Sequence, residues 1–228
     1  MAIQQVVEEA FAELIGGVAP TIAGAGRTDA GVHALAQVAS VHVSFEHSCY
    51  GVKHALNTRL PPAIRVISID EATPGFHAQF EARGKSYRYR IATSAVQMPF
   101  AHRYSWHVPW PLDLPAMQQA AMHLVGTHDF ASFQASGTPI TETVRTMQRV
   151  ALIEQETELW LEVEGDGFLR HMVRTIAGTL VEVGSRHRAA DSVPAIIDAR
   201  RRAAAGKTAP AKGLTLVRVT YDQDSPTR

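Results

Sequence analysis

Between residues 23 and 34 the chain reads Ala23-Gly24-Ala25-Gly26-Arg27-Thr28-Asp29-Ala30-Gly31-Val32-His33-Ala34, with a single carboxylate set among glycines. Glycine lets a backbone turn tightly and lets another group come close, so Asp29 sits where something can approach it. A carboxylate held in such a loop can serve as a nucleophile, as a general base, or only as a turn residue. Glycine loops also cradle phosphates. Here no Lys-Ser/Thr follows and no G-x-G-x-x-G opens a helix, which removes the nucleotide-fold versions of that reading. The 11 histidines include no H-E-x-x-H and no zinc-like pairing, so no metal site is expected. Ser132 and Ser136 lack a nucleophile-elbow context, and a serine hydrolase is not expected either. Chemistry without metal or cofactor is the expectation.

The elements that must position these groups follow from periodicity. Ile3, Val6, Val7, Ala10, Phe11 and Leu14 recur at helical spacing over 3–15, and Gly16-Gly17 ends that helix. Residues 36–45 alternate as a strand, with Val41, Val43 and Phe45 on one side. A short helix through Val52, Ala55 and Leu56 ends before Pro61-Pro62, and 64–69 reads as a further strand. In 83–92, Tyr87, Tyr89 and Ile91 share one face while Ser86, Arg88 and Arg90 share the other. After the Pro-rich stretch Pro109, Pro111, Pro115 comes a helix with Asp113 as N-cap and Gly126 past its end. Strands near 147–153 and 159–164 flank a polar turn. Residues 168–183 look helical with Gly184 after them, a last helix spans about 193–205, and 213–221 returns as a strand. Hairpin-like strand pairs beside helices favour an α+β fold over an alternating α/β one.

With 228 residues, 46% hydrophobic and 19% charged, the chain is long enough to bury a sizeable core and too apolar to be disordered. No apolar run approaches the roughly 18 residues of a membrane span, and Glu8, Glu9 and Glu13 interrupt anything resembling a signal peptide. Cys49 is the only cysteine, which excludes an internal disulfide and fits a reducing cytoplasm. The formal net charge is zero, but the charges are segregated. Arg83, Lys85, Arg88, Arg90 and Arg103 form one acid-free run, and Arg200, Arg201, Arg202, Lys207, Lys212 and Arg218 another. The acids gather at Glu154, Glu156, Glu158, Glu162, Glu164 and Asp166. Such segregation can fold into one basic, nucleic-acid-binding face, or stay scattered over a solvated surface.

The loop around Asp29 closely resembles the G-R-T-D-x-G-V-H catalytic loop of the tRNA pseudouridine synthase A family. Later segments resemble the same family in the same order. Lys85-Ser86-Tyr87-Arg88-Tyr89 is similar to its substrate-tyrosine strand, and Gly126-Thr127-His128-Asp129-Phe130-Ala131-Ser132-Phe133 looks familial too. Phe168-Leu169-Arg170-His171-Met172-Val173-Arg174-Thr175-Ile176-Ala177-Gly178 resembles its signature arginine helix, and Gly213-Leu214-Thr215-Leu216-Val217 its closing strand. The resemblance runs from about Val6 to Tyr221.

It implies two α/β subdomains around a mostly antiparallel sheet with a central catalytic cleft. Residues 1–108 would carry the Asp loop and the tyrosine strand, and 109–228 the arginine helix and closing strand. It implies an isomerase that turns uridine into pseudouridine at positions 38, 39 and 40 of the tRNA anticodon arm, acting in the cytoplasm as a homodimer. Asp29 matches the catalytic aspartate. A carboxylate suits a reaction that breaks and remakes a glycosidic bond without redox change or an external group. Arg174 matches the arginine that pairs with it, where a guanidinium favours the charged carboxylate and fixes its direction. Tyr87 matches the tyrosine that stacks on the target uracil, and Leu214 an apolar residue lining the same pocket. Arg27, His33 and Arg170 fall in neighbourhoods that face RNA. Residue by residue, each also has a plainer reading: Tyr87 and Leu214 as strand packing, the cations as surface charge.

Two rival readings remain at this level: a non-catalytic RNA-binding protein retaining the fold, and a glycosidase-like hydrolase acting on a nucleoside. The second normally needs a partner acid, and none stands out. The chain also departs from the family pattern. Members begin with a strand and loop of the type Y-D-G-x-x-x-x-G-W-Q before the helix matching 3–15, whereas this chain opens almost at that helix. The expectation is that in-frame upstream codons encode the strand.

Overall fold

The computed structural model describes residues 2–44, 47–137 and 141–222. In chain order the first elements are α1 (Ile3–Ile15), β1 (Ile22–Gly24), β2 (His33–Ala34), β3 (Ala39–Val41), α2 (Cys49–Arg59), β4 (Gly84–Ala92) and β5 (Trp106–His107). There follow α3 (Leu114–Met122), β6 (Gly126–Asp129), β7 (Val144–Glu154), β8 (Glu158–Gly165), α4 (Met172–Gly184), α5 (Val193–Ala199) and β9 (Leu214–Thr220). By compactness the chain divides into residues 1–27 with 38–82, and residues 28–37 with 83–228. The units therefore do not part at the Pro-rich stretch after 108. That stretch is tied into the second unit, because β5 pairs with β4 and the Asp113 amide donates to the Gly184 carbonyl at 2.8 Å. No helix among the described residues is long and apolar enough to cross a membrane.

In the first unit α1 ends where the periodicity places its end, with Gly16 in the left-handed region at φ 63°. Its Ala10 and Phe11 pack with Ile22 and with Val52, Leu56 and Leu60 of the α2 region. Ser48 caps α2 by accepting from the Gly51 amide at 3.3 Å. Two expected strands come out differently. The alternating run 36–45 is a strand only over Ala39–Val41, paired antiparallel with β1, and its Phe45 lies outside the described residues. Residues 64–69 run without strand pairing. Ile64, Val66 and Ile69 do pack on the core, but the backbone finds a side chain instead of a strand. The Asn57 amide donates to the Val66 carbonyl and accepts from the Val66 amide, both at 2.8 Å. An Asn side chain thus supplies the two hydrogen bonds that a neighbouring strand would have made.

The second unit is built on a seven-stranded sheet whose path is β2-β9-β4-β8-β7-β6, with β5 alongside β4. The sheet is antiparallel except where β2 meets β9 and β5 meets β4. Tyr87, Tyr89 and Ile91 are buried on one face, opposite Val163, Leu161 and Leu159 of β8, as the alternation requires. α4 lies with β4 and α3, and 11 of its 13 residues are buried. This helix starts at Met172 rather than Phe168, because His171 takes a left-handed φ of 64°. Gly184 is its last residue. The last helix is also shorter than the expected 193–205. Arg200 breaks it at φ 47°, and a 3-10 turn at Arg202–Ala204 leads into an irregular strap that runs to β9.

The charge segregation resolves into mutual neutralisation. On the sheet face opposite Tyr87, β4 and β8 pair so that Arg88 faces Glu162, and Arg90 reaches Glu158 at 2.7 Å. Arg149 of β7 also binds Glu162, and Arg88 lies 4.1 Å above the Trp160 ring. Arg83 is paired with Asp222, and Arg200 with Asp129. The acid-free run 83–90 is therefore not a bare basic face. Arg88 and Arg90 lie against acids of the neighbouring strand, an arrangement that pairs residues about 70 positions apart in sequence.

Candidate active site

Four elements of the second unit bring their side chains together on the Tyr87 face of the sheet. β4 supplies Tyr87, whose buried ring meets Phe168 edge-on with centroids 4.9 Å apart. α4 supplies Arg174. Positions 174, 178 and 182 follow one another up the helix at four-residue spacing, and the strap lies along this stripe. Gly206 donates its amide to Thr179 Oγ1 at 2.9 Å, and Lys207 donates to Glu182 Oε1 at 2.8 Å. Ala209 both donates its amide to the Arg174 carbonyl at 3.0 Å and accepts from Arg174 Nε at 2.9 Å. The guanidinium is thus aimed by backbone at both ends of its own residue.

The loop from Thr28 to Gln37 supplies Asp29. The Asp29 carbonyl accepts from the Val32 amide at 3.0 Å, and Gly31 takes a φ of 83° that an L side chain rarely adopts. A Cβ at Gly31 would also sit 3.4 Å from the Ala211 methyl of the strap. Just downstream, β2 pairs with β9 and the Leu35 amide donates to Leu216, which anchors the loop. Arg174 Nη1 donates to Asp29 Oδ2 at 2.9 Å, closing a contact between residues 145 apart in sequence. The pair is half-buried, with side-chain exposures of 14% for Arg174 and 28% for Asp29, so it is screened less than a surface pair.

A fourth group arrives that periodicity had placed inside a helix. His171 Nε2 lies 3.3 Å from the same Asp29 Oδ2. Burial lowers the His171 pKa below its ordinary value. The nearby Asp29 opposes that shift, and Arg174, Arg170 and Arg202 reinforce it. The lowered pKa disfavours the charged ring, so the 3.3 Å approach to Asp29 is a polar contact rather than a full ion pair. Burial, and then the charge of Asp29, push the Tyr87 hydroxyl up to about 12, so it stays protonated. Arg174 donates to Oδ2 and His171 approaches the same oxygen. The charge of Asp29 is felt at the Tyr87 hydroxyl, so that aromatic ring belongs to the same site.

The remaining sequence candidates fall into three situations. Leu214 opens β9 in register with Tyr89, on the sheet face of the tyrosines and one pair along from Tyr87. His33 is committed within the fold, its Nε2 bonded to the Arg103 carbonyl at 2.9 Å and its ring 4.8 Å from that of Tyr104. Arg27 and Arg170 are exposed. His171 had no periodicity to mark it, although it stands in the segment that carries Arg174. A separate groove of about 290 Å³ is lined by Ser86, Tyr87, Glu162, Glu164, Val217 and Arg218. Most of these belong to the ion-paired face, and Asp29 is not among them, so the chemistry is assigned to the Asp29 side.

This constellation has counterparts among known proteins. A family model described as tRNA pseudouridine synthase matches residues 120–222, the stretch that holds α4, the strap and β9. Over nearly the whole chain, a protein of Syntrophotalea carbinolica named tRNA pseudouridine synthase A is 45% identical across 221 residues, 97% of this chain and 87% of that protein. A protein of the same name from Halalkalibacterium halodurans is 42% identical over 212 residues, 93% of this chain and 81% of the relative. Another, from Moorella thermoacetica, is 46% identical over 197 residues, 86% and 80% respectively. With this similarity extending across both units, the chain belongs to the tRNA pseudouridine synthase A family.

Proposed function

We propose that this protein isomerises uridine to pseudouridine in tRNA, with Asp29 as the nucleophile. The observation that carries the reading is the carboxylate itself. It is held on Oδ2 by Arg174 at 2.9 Å, and its charge reaches the hydroxyl of the buried Tyr87. The target base stacks on Tyr87. Attack at C1′ breaks the N1–C1′ bond and frees the uracil, with its bonding pair, beside the sugar. The uracil turns, C5 bonds to C1′, the carboxylate leaves, and the C5 proton goes to solvent or a base. Atoms and electrons balance without a redox partner. The low-dielectric setting strengthens the electrostatic support for each charged species.

Finer points rest on the family resemblance. The substrate region is the anticodon arm, at uridines 38, 39 and 40, and the protein works in the cytoplasm as a homodimer that one tRNA can span. Arg27 and Arg170, both exposed, fit contacts to RNA, while His33 steadies the 101–104 loop from within the fold. Leu214 fits the apolar wall of the base pocket.

The test is Asp29→Asn with a nucleoside digest of unmodified tRNA transcript. Wild type should yield new pseudouridine and no free uracil. Asp29→Asn should yield neither while still binding tRNA, since affinity comes mainly from phosphate contacts. A variant retaining a tenth of the single-turnover rate would sink the assignment of Asp29, and free uracil from wild type would mean a hydrolase. Mapping the modified positions and measuring the mass in solution check the anticodon arm and the dimer.

A further inference from the structure

We propose that His171 is a second positioning residue for Asp29, its Nε2 set 3.3 Å from Oδ2 beside Arg174 so that the carboxylate is held toward the substrate. The inference rests on the reading of Asp29 as the reacting carboxylate. Three observations carry it. First, Arg174 does not grip the carboxylate with a bidentate fork. Its Nε is spent on the Ala209 carbonyl, and only Nη1 reaches Asp29. One donor on one oxygen leaves the carboxylate free to swing, whereas a second group packed against it from another direction restricts that freedom. Second, His171 stands at the N-cap of α4 but its side chain makes no cap bond, where a capping Ser, Thr, Asp or Asn would have turned back onto the helix. The ring is at Asp29 instead, 3.3 Å from Oδ2. Third, His171 holds a left-handed φ of 64°, uncommon for a non-glycine residue, and this turns its side chain away from the helix course.

The groups facing the ring are Asp29 from the catalytic loop, Arg174 from α4, Arg170 from the turn before it and Arg202 from the 3-10 turn. Burial, and then three cations against one carboxylate, disfavour an imidazolium here. The ring therefore acts as a neutral donor, and this requires the tautomer with hydrogen on Nε2.

His171→Gly is the informative variant, because glycine accepts φ 64° at no cost and only the side chain is lost. Single-turnover pseudouridine formation should fall about 10- to 100-fold, with the tRNA concentration for half-saturation changed by less than about twofold. Imidazole added to the buffer should restore part of the lost rate, and His171→Gln, whose amide nitrogen reaches roughly where Nε2 stood, should be faster than His171→Gly. Melting temperatures of the variants separate these effects from unfolding. An unchanged rate in His171→Gly, with Asp29→Asn inactive, overturns the proposal and leaves the assignment of Asp29 standing. A slow His171→Gly that neither imidazole nor the Gln variant improves marks a merely structural residue and also overturns it. An active Asp29→Asn would bring down both.

Discussion

Gly178→Ala sets two effects against each other, and the structure says which one wins. In the interior of α4 the change from glycine to alanine should stabilise the helix by about 1 kcal/mol. The added Cβ, however, would overlap the Lys207 carbonyl oxygen and lie 2.9 Å from its carbon and 3.5 Å from the Ala209 nitrogen. The obstacle is backbone, which no rotamer change can clear. Relief requires the strap to lift off the helix, and inserting one carbon into a packed contact typically costs about 1–3 kcal/mol. Lifting also stretches the bonds of Lys207 to Glu182 and of Ala209 to Arg174, each worth roughly 1 kcal/mol net. The balance is a destabilisation of about 2–4 kcal/mol, which for a chain of this size lowers the melting temperature by roughly 5–15 °C. Activity should fall as well, because Arg174 loses the carbonyl that aims it, and a shift near 1 Å can cost about 100-fold in rate. Circular dichroism melts and single-turnover assays on one preparation test both parts. A variant as stable as wild type, or more so, would refute the reasoning, since helix propensity would then have outweighed the strap contact.

Arg174→Lys should slow single-turnover catalysis about 100-fold with little change in tRNA affinity, because an ammonium cannot hold Ala209 and Asp29 at once; parity in rate would refute the two-point geometry. Burial works to raise the Glu162 pKa, yet Arg149 and Arg88 outweigh it and hold the carboxyl below its ordinary value of about 4.5. A carboxyl with a depressed folded pKa contributes stability above its unfolded pKa and loses it as pH falls through the folded value. Melting temperature should therefore drop as pH falls below about 4.5, and Glu162→Gln should flatten that drop while lowering stability at neutral pH. An unflattened drop would show that Glu162 is not part of the acid response. His171, whose pKa is lowered, adds a loss with the same sign beginning below 6.5, as the unfolded state takes up the proton first. If the exposed Arg201 contacts RNA phosphate, Arg201→Ala should weaken tRNA binding and reduce the salt slope by about one unit, as a binding titration across salt concentrations would read.

Local patterning carried much of the architecture. α1, α2, β4, the β7–β8 hairpin and β9 fall where periodicity, caps and turns place them, since each of those signals acts within a few residues. It failed where a distant group overrode it. Residues 64–69 have the alternation of a strand, but the partner for their backbone is the Asn57 side chain. Phe168–His171 have helical spacing, but His171 is turned to the left-handed region with its ring at Asp29. The basic run 83–103 left a basic face and a scattered charged surface both open, because a linear reading cannot see that β8 lies alongside β4 and sets Glu162 against Arg88.

By itself, then, the sequence determined the element types, the buried face of β4, and a glycine-set carboxylate in a loop whose wording resembles one family. Only the tertiary structure decided that Asp29 and Arg174, 145 residues apart, meet on one oxygen. It also decided that the strap aims the arginine and that His171 joins them. Hydrogen bonds and burial within a helix or turn depend on neighbours a few positions away, whereas these contacts exist only once the sheet and α4 have packed, when geometry rather than spacing selects the partners.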